Sequence, residues 1–545
     1  MTTTLTGYGG ISEIGGNKFL LEDGELRVFL DFGRPFGRHS TYFDGVFIKE
    51  RPGRGLLDPL MLGLLPPLEG LYRDDLVPPL TESSDAFWEP FRSRPDYRNL
   101  RRDGHPVDAI LLSHAHLDHS GDFLFVQPHI PVFSSRMTAF IAKAVQDSGR
   151  PSTASVVYVN PQTIQDGLLT GDRTQGYLWR AWGFLDGAPD GEVAGDNPFA
   201  SAASFWFWRP AKQKKASPEP PPAPQPPLRL RWWPLDHSVF GACGFALETS
   251  AGWIAYTGDL RFHGAQSPLS RKFAEGLATL RPLALICEGT NLEATQQVTE
   301  GEVHERCLRA VREATGQLVV ADFAPRNVER LKTFLEIAQQ TGRCLVIQPK
   351  DAYLLSAMRL AEPQAVPDLS TEPHLALYED PKSRQNEWEK VTRQAYGEKL
   401  VGPAQIRNRP GDYILACSLW DMADLLDLEY LLEKRPGGVY IYSNSKAYDE
   451  EQKIDLARLW NWIEHFGMRP VGLRRDSRTG EVDVEPGYHA SGHASGPELI
   501  QFVREVRPRL LIPVHTECPQ RWQEELEGTG IPVAIPSYAQ PVQLG

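Results

Sequence analysis

Three histidines and an aspartate crowd into His114-Ala115-His116-Leu117-Asp118-His119, directly after the apolar run Asp108-Ala109-Ile110-Leu111-Leu112-Ser113. The run reads as a short buried strand, with a helix beginning just past the cluster. On such a strand-to-helix loop His114 and His116 point to one cation, and Asp118 and His119 to a neighbour. Imidazole and carboxylate suit zinc or manganese. A solvated histidine-rich loop is the bland alternative. It loses ground because ligand-type residues recur at later strand ends: His237 after Leu235-Asp236, Asp259 in Thr257-Gly258-Asp259, and His515 in Pro513-Val514-His515. Each is weak alone, since a histidine after a strand is more often a satisfied polar residue. Taken in chain order they fit one scheme. His114, His116 and His237 hold a first ion, Asp118, His119 and His515 hold a second, and Asp259 bridges.

With 545 residues the chain exceeds one ordinary core, and about two or three folded units are expected. Residues 9–33 read as two short strands joined by Glu22-Asp23-Gly24. Residues 42–105, rich in Pro, Gly, Leu and Arg, read as a long loop or cover segment. Residues 160–227 read as an insertion, with an aromatic piece from Phe205 to Trp208, then Lys212, Lys214 and Lys215, then an extended proline run from Pro218 to Pro227. Two readings of it stay open: a disordered surface loop, or an aromatic and lysine face that touches substrate or a partner.

From Leu283 strands and helices alternate. Strands are expected at 283–287, 318–323, 344–348 and 439–442, and helices at 302–315, 328–341 and 449–466, as in a parallel α/β unit. A last strand, Leu510 to Val514, leads into His515. The expected division is 1–283, 284–488 and 489–545, the first part carrying the 160–227 insertion.

Composition excludes several classes. Hydrophobic residues make up 41% and charged residues 23%, as in soluble globular proteins. No apolar stretch reaches the roughly 18 residues a membrane helix needs. The N-terminus lacks a basic region followed by an apolar one. The six cysteines form no C-x-x-C pair, so neither a disulfide framework nor a cysteine zinc site is expected. A cytoplasmic address without a membrane partner is the expectation. The net charge of −13 argues against holding nucleic acid by bulk positive potential. It leaves a nuclease open, because a buried metal pair supplies local positive charge.

The H-x-H-x-D-H run, the later histidine and the T-G-D aspartate resemble the metallo-β-lactamase superfamily. Asp31 in Leu30-Asp31-Phe32-Gly33 matches that family's first motif, which implies a residue that orients ligands. The C-terminal half is similar to the β-CASP branch. Ile286-Cys287-Glu288-Gly289-Thr290 resembles its acidic motif, His489-Ala490-Ser491-Gly492-His493-Ala494 resembles the H-x-S-G-H-A run of ribonuclease J, and Pro513-Val514-His515-Thr516-Glu517 its P-V-H-G-E. The segment Val319 to Gln348 resembles the strand–helix–strand that follows. The resemblance implies an αββα sandwich with an inserted α/β β-CASP domain. It also implies that His489, Ser491 and Gly492 meet phosphate, and that Glu288 holds His493 as a proton donor to the leaving oxygen.

There are departures. Ribonuclease J usually carries a further domain after the region that here ends about 30 residues past His515. Its serine-bearing T-F-A-S-N is replaced by Asp322-Phe323-Ala324-Pro325-Arg326-Asn327, which puts a 5′-monophosphate pocket and 5′-to-3′ exonuclease action in question. Arg326 more resembles the arginine of polyadenylation-type endonucleases and would touch backbone phosphate; the bland reading is a surface arginine at a helix start. The early G-L-G-E-I-G motif is altered to Gly10-Ile11-Ser12-Glu13-Ile14-Gly15.

The expected function is a nuclease using two divalent ions, Zn2+ before Mn2+, with Asp118 orienting the attacking water or taking its proton. RNA is expected over DNA, because by resemblance RNA-cleaving members carry a histidine where His515 stands. A homodimer is left open. The rivals are a DNA nuclease of the same branch, a small ester or thioester hydrolase, and a non-catalytic RNA-binding subunit. Segment 284–488 opposes the second, and the presence of all seven ligands opposes the last.

Overall fold

The computed structural model describes residues 2–44, 48–80, 83–100, 107–149, 155–210, 221–382, 384–432 and 435–545. Two sheets stack face to face. The first runs Trp182–Phe184, Val132–Ser134, Ala109–Leu111, Leu26–Leu30, Lys18–Asp23, Thr3–Gly9, Pro541–Gln543. The second runs Leu230–Pro234, Cys243–Thr249, Gly252–Tyr256, Ala284–Glu288, Leu511–Val514. Alternate residues of these strands meet between the sheets: Phe19 and Leu21, Val28 and Leu30, Ala109 and Leu111 against Phe245 and Leu247, Ile254 and Tyr256, Ile512 and Val514. The period of two puts the other residues on the outer faces. There Ala255, Leu285 and Leu511 meet the helices Ser267–Leu280 and Gly496–Val506 through Phe273, Leu277, Phe502 and Val503. Leu20, Phe29 and Ile110 meet Phe140 and Ile141 of the helix Arg136–Ser148. This is an αββα sandwich.

Past Glu288 the chain leaves the sandwich and builds a third sheet. Its strands all run parallel, in the order Leu400–Val401, Leu375–Tyr378, Cys344–Ile347, Tyr413–Ala416, Val319–Asp322, Val439–Tyr442, Arg469–Val471. Both faces are covered, so its strands are apolar without alternation. Val319, Ala321 and Ile414 face one core, and Val320, Leu415 and Tyr440 the other. The strand Leu511–Val514 then pairs in parallel with Ala284–Glu288, setting Val514 opposite Glu288. Departure and return therefore lie side by side.

One region follows the second of its two expected readings, and another differs from both of its own. Residues 48–80 and 83–100 are a packed cover, with Leu60, Leu71, Tyr72 and Trp88 buried around short helices. The aromatic piece is folded and mostly interior, neither a loose loop nor a substrate-facing surface. Phe205 and Trp206 are buried in the helix Ala202–Phe207, stacked on Phe140 at 5.2 and 5.7 Å, and Phe205 lies 5.7 Å from Tyr353 of the inserted unit. Burial of each such ring contributes about 1.5–3 kcal/mol, so these aromatics stabilise the seam between sandwich and insert. The Tyr353 hydroxyl also donates to Asp147 (2.7 Å) across that seam. Lys212, Lys214, Lys215 and Pro218 lie outside the described residues. The strand Trp182–Phe184 within 160–227 belongs to the first sheet. No helix among the described residues is long and apolar enough to cross a membrane.

Candidate metal centre

The cluster loop is held by its neighbours in space. Phe32 N–H donates to His119 O and Arg34 N–H to Leu117 O, each at 2.9 Å. Gly33 lies so close to the Asp118 backbone that a Cβ would sit 1.6 Å from its oxygen, which explains the glycine of the Leu30–Gly33 motif. Gly258 has φ +55° and a Cβ there would meet Ser113, so the turn that presents Asp259 needs glycine as well. His515 itself takes a left-handed φ of 50°, and its N–H donates to Gly10 O at 2.7 Å, so the altered glycine loop braces the last ligand.

All seven residues expected as ligands converge. In one group His116 Nδ1 lies 3.1 Å from His114 Nε2 and 3.2 Å from His237 Nε2, and Asp259 Oδ2 lies 3.4 Å from His114 Nε2. In the other, His119 Nε2 lies 3.1 Å from Asp259 Oδ2 and 3.6 Å from Asp118 Oδ2, with His515 Nε2 3.9 Å from Asp118 Oδ2. Asp259 belongs to both. Burial depresses the pKa of His114 and His237, and that of His116 to about 4, so these rings are neutral. Burial opposes the Asp259 charge, but the surrounding histidines hold its carboxyl well below the usual range.

The outward nitrogens of four of the rings are engaged. His119 Nδ1–H donates to Asp31 Oδ2 (2.7 Å), His515 Nδ1–H to Asn17 Oδ1 (2.9 Å), and His237 Nδ1–H to Gly492 O (2.6 Å). His114 Nδ1 meets Ser113 Oγ at 3.0 Å. Asp31 also accepts from Ser113 N–H, Ser113 Oγ and Tyr256 OH at 2.6–2.8 Å. These bonds orient four of the rings so that Nε2 points inward, and the carboxylates Asp259, Asp118 and Asp31 around His119 raise its pKa against burial.

The inward atoms behave differently. His119 Nε2, His515 Nε2 and Asp259 Oδ1 are buried without a hydrogen-bond partner. Lone pairs aimed at one another in a closed pocket are costly unless a cation lies between them. Tetrahedral zinc with Zn–N near 2.0–2.1 Å sets its ligand atoms about 3.3 Å apart, close to the 3.1–3.4 Å given for the first group, while His237 Nε2 and Asp259 Oδ2 stand 3.8 Å apart. The residues therefore fit a pair of divalent cations.

Beside them His493 Nδ1 pairs with Glu288 at 2.9 and 3.1 Å. Burial works against the charged ring, yet Glu288 and Asp259 hold its pKa up at about 9. Ser491 Oγ accepts from Asn291 Nδ2 (2.7 Å) and His493 N–H (3.1 Å). The Gly492 carbonyl accepts from His237, and a Cβ there would meet Ser238 and His237. Arg326 donates from Nη1 to Ala115 O (3.1 Å), over the ligand loop and not out on the surface. His489 is largely buried beside Arg330, and its Nδ1 has no partner.

Sequence reasoning missed Asn17, Ser113 and Tyr256. It also missed a buried charge network, in which Arg261 meets Asp236 Oδ1 (3.0 Å), Glu300 Oε1 (3.3 Å), Ser491 O (3.1 Å) and Glu329, while Arg330 meets Glu300 Oε2 (2.9 Å). The only signal was the adjacency of Asp236 and Arg261 to His237 and Asp259.

Known proteins add context. The family described as the metallo-beta-lactamase superfamily matches residues 80–132, and the Zn-dependent metallo-hydrolase RNA specificity domain matches 482–536. Ribonuclease J of Corynebacterium glutamicum is 21% identical over 78% of this chain and 47% of its own length. That of Mycolicibacterium smegmatis is 20% identical over 77% and 60%. Ribonuclease J 2 of Streptococcus pyogenes is 27% identical over 52% and 46%. The chain thus spans less than two thirds of these relatives. A crystal structure of a protein of unknown function from Enterococcus faecalis shares the fold, with a TM-score of 0.62 at 18% identity over 100% of both chains.

Proposed function

We propose that this chain, which matches the metallo-beta-lactamase superfamily over residues 80–132 and is similar to ribonuclease J, is a metal-dependent nuclease that hydrolyses phosphodiester bonds of single-stranded RNA. The observation that carries this reading is the convergence of the partnerless His119 Nε2, His515 Nε2 and Asp259 Oδ1 next to the His493–Glu288 pair. RNA is preferred to DNA because the stretch similar to an RNA specificity domain, 482–536, carries His489, Ser491, His493 and His515. The nitrogen-rich donor set favours Zn2+ over Mn2+.

His114, His116, His237 and Asp259 would hold one ion, and Asp118, His119, His515 and Asp259 the other. Bound there, such ions supply a nucleophile at neutral pH and offset charge on the phosphate. Asp118 is 22% exposed where Asp259 is 1% exposed, so Asp118 is the ligand able to orient the attacking water and accept its proton. Glu288 fixes the His493 ring through Nδ1 and leaves Nε2 to protonate the departing 3′-oxygen. Ser491, His489 and Arg326 donate to phosphates on either side, and Gly492 keeps His237 in place.

The test combines His116→Ala with Asp118→Ala and follows end-labelled RNA and DNA bearing 5′-phosphate or 5′-hydroxyl. The wild type is expected to bind two equivalents of zinc and cut RNA. The folded double variant is expected to lose both properties, and undiminished cleavage by it refutes the assignment. The product ladder separates endonuclease from exonuclease action.

A further inference from the structure

The inserted sheet has its own crevice. The helix Val328–Thr341, which follows the central strand Val319–Asp322, packs Leu331 and Phe334 on one face of the sheet. The segment after the neighbouring strand Tyr413–Ala416 packs Met422, Leu425 and Leu428 on the opposite face. Successive connections therefore part at the carboxyl ends of these two strands, which is where open parallel sheets take ligands. A crevice of about 420 Å³ opens at that point, lined among others by Asp322, Ser418, Trp420, Tyr442, Asn444 and Lys446.

Three features give the crevice a chemistry. Asp322, the last residue of its strand, is 2% exposed; one oxygen accepts from Tyr440 OH (2.7 Å), and the other, buried, has no partner. Burial pushes its pKa up to about 7, with Asp421 adding to the rise and the Tyr440 and Asn444 side chains opposing it. Trp420 stands 78% exposed at the rim, a free aromatic face. The crevice also adjoins the proposed cleavage groove. Ser443, next to Asn444, donates from Oγ to Tyr488 O (2.6 Å), the residue before His489, and its own carbonyl accepts from Arg330 (2.9 Å).

We infer that this crevice binds a nucleobase of the RNA strand, guanine by preference, stacked on Trp420 with its N–H edge on Asp322. The inference rests on the RNA-cleaving reading above. Above pH 7, its pKa being about 7, Asp322 is a carboxylate that repels phosphate and only accepts hydrogen bonds, so the ligand must bring donors. Guanine alone among the four bases offers two neighbouring donors, N1–H and the 2-amino group, with no ring acceptor between them, so both can converge on the one oxygen that Tyr440 leaves free. Adenine and cytosine turn a ring lone pair toward the carboxylate, and uracil flanks its single donor with carbonyl oxygens. Stacking supplies affinity that is indifferent to base identity, and the edge contact supplies the choice.

The test titrates the full-length protein, in chelator so that nothing is cut, into fluorescein-labelled 12-nucleotide oligouridylates. Each carries a 5′-hydroxyl and one guanosine, moved position by position. One position is expected to bind about tenfold more tightly than the uniform strand, the scale of a hydrogen bond to a charged acceptor. Asp322→Asn should reduce that preference below about twofold. Trp420→Ala, at a site too exposed to disturb folding, should weaken the guanosine-bearing strand about fivefold or more. Uniform binding at every position, a preference retained by Asp322→Asn, or one untouched by Trp420→Ala overturns the crevice assignment and leaves the nuclease reading standing. Failure of every RNA to bind overturns both.

Discussion

Replacing Arg261 by methionine removes a buried cation of the sandwich that meets Asp236 of its own unit and Glu300 and Glu329 on helices of the inserted unit. Its side chain is fully buried among Asp236, Glu300 and Glu329. Glu300 would keep Arg330, but Asp236 and Glu329 would be left with one backbone donor each, Gly264 N–H at 2.9 Å and Ala265 N–H at 2.6 Å. Stranding buried carboxylates in this way costs about 3–5 kcal/mol. At roughly 2–4 °C per kcal/mol for units of this size, the melting temperature should fall by about 6–20 °C. The assay is urea and thermal unfolding with metal chelated, since ligand binding adds stability of its own. A double-mutant cycle with Glu329→Gln then isolates the bond across the two units. The double variant should be at least about 1 kcal/mol more stable than the sum of the single losses predicts. A loss under about 1 kcal/mol for Arg261→Met, or additive losses in the cycle, refutes the reasoning.

Asp31→Asn exchanges an acceptor of four hydrogen bonds for an amide that cannot serve His119 and Ser113 together; zinc affinity by chelator competition should fall about 10–100-fold, and unchanged affinity would refute the ring-orienting role. His493→Gln should slow RNA cleavage by about 10²–10⁴ with zinc content unchanged, whereas loss of zinc would make the ring a ligand. Phe205→Ala should cost about 3–5 kcal/mol in urea unfolding without changing cleavage per folded molecule, and a cleavage defect with intact stability would restore the aromatic piece to the substrate.

The seven converging side chains were legible because each sits in a short polar motif that closely follows a strand. The helix Val328–Thr341 was legible to the residue, between the cap Asn327 and the left-handed Gly342. The residues that orient the ligands were not. Asn17 touches His515 across 498 positions, and Ser113, Tyr256 and Asp31 come together only when two sheets stack. No local pattern records such a pairing. Phe205 and Trp206 misled for the same reason: beside lysines and prolines they look exposed, and the Phe140 and Tyr353 rings that bury them are distant in sequence.

The side-by-side pairing of Ala284–Glu288 with Leu511–Val514 sets an order of events during synthesis. A nascent chain that has left the ribosome only as far as the inserted sheet already holds six of the seven ion-binding side chains, yet lacks the strand that delivers His515 and the loop that carries His493. Closing that long-range contact is slow compared with local folding. Until that strand is made, the sandwich lacks the side chains of His493 and His515.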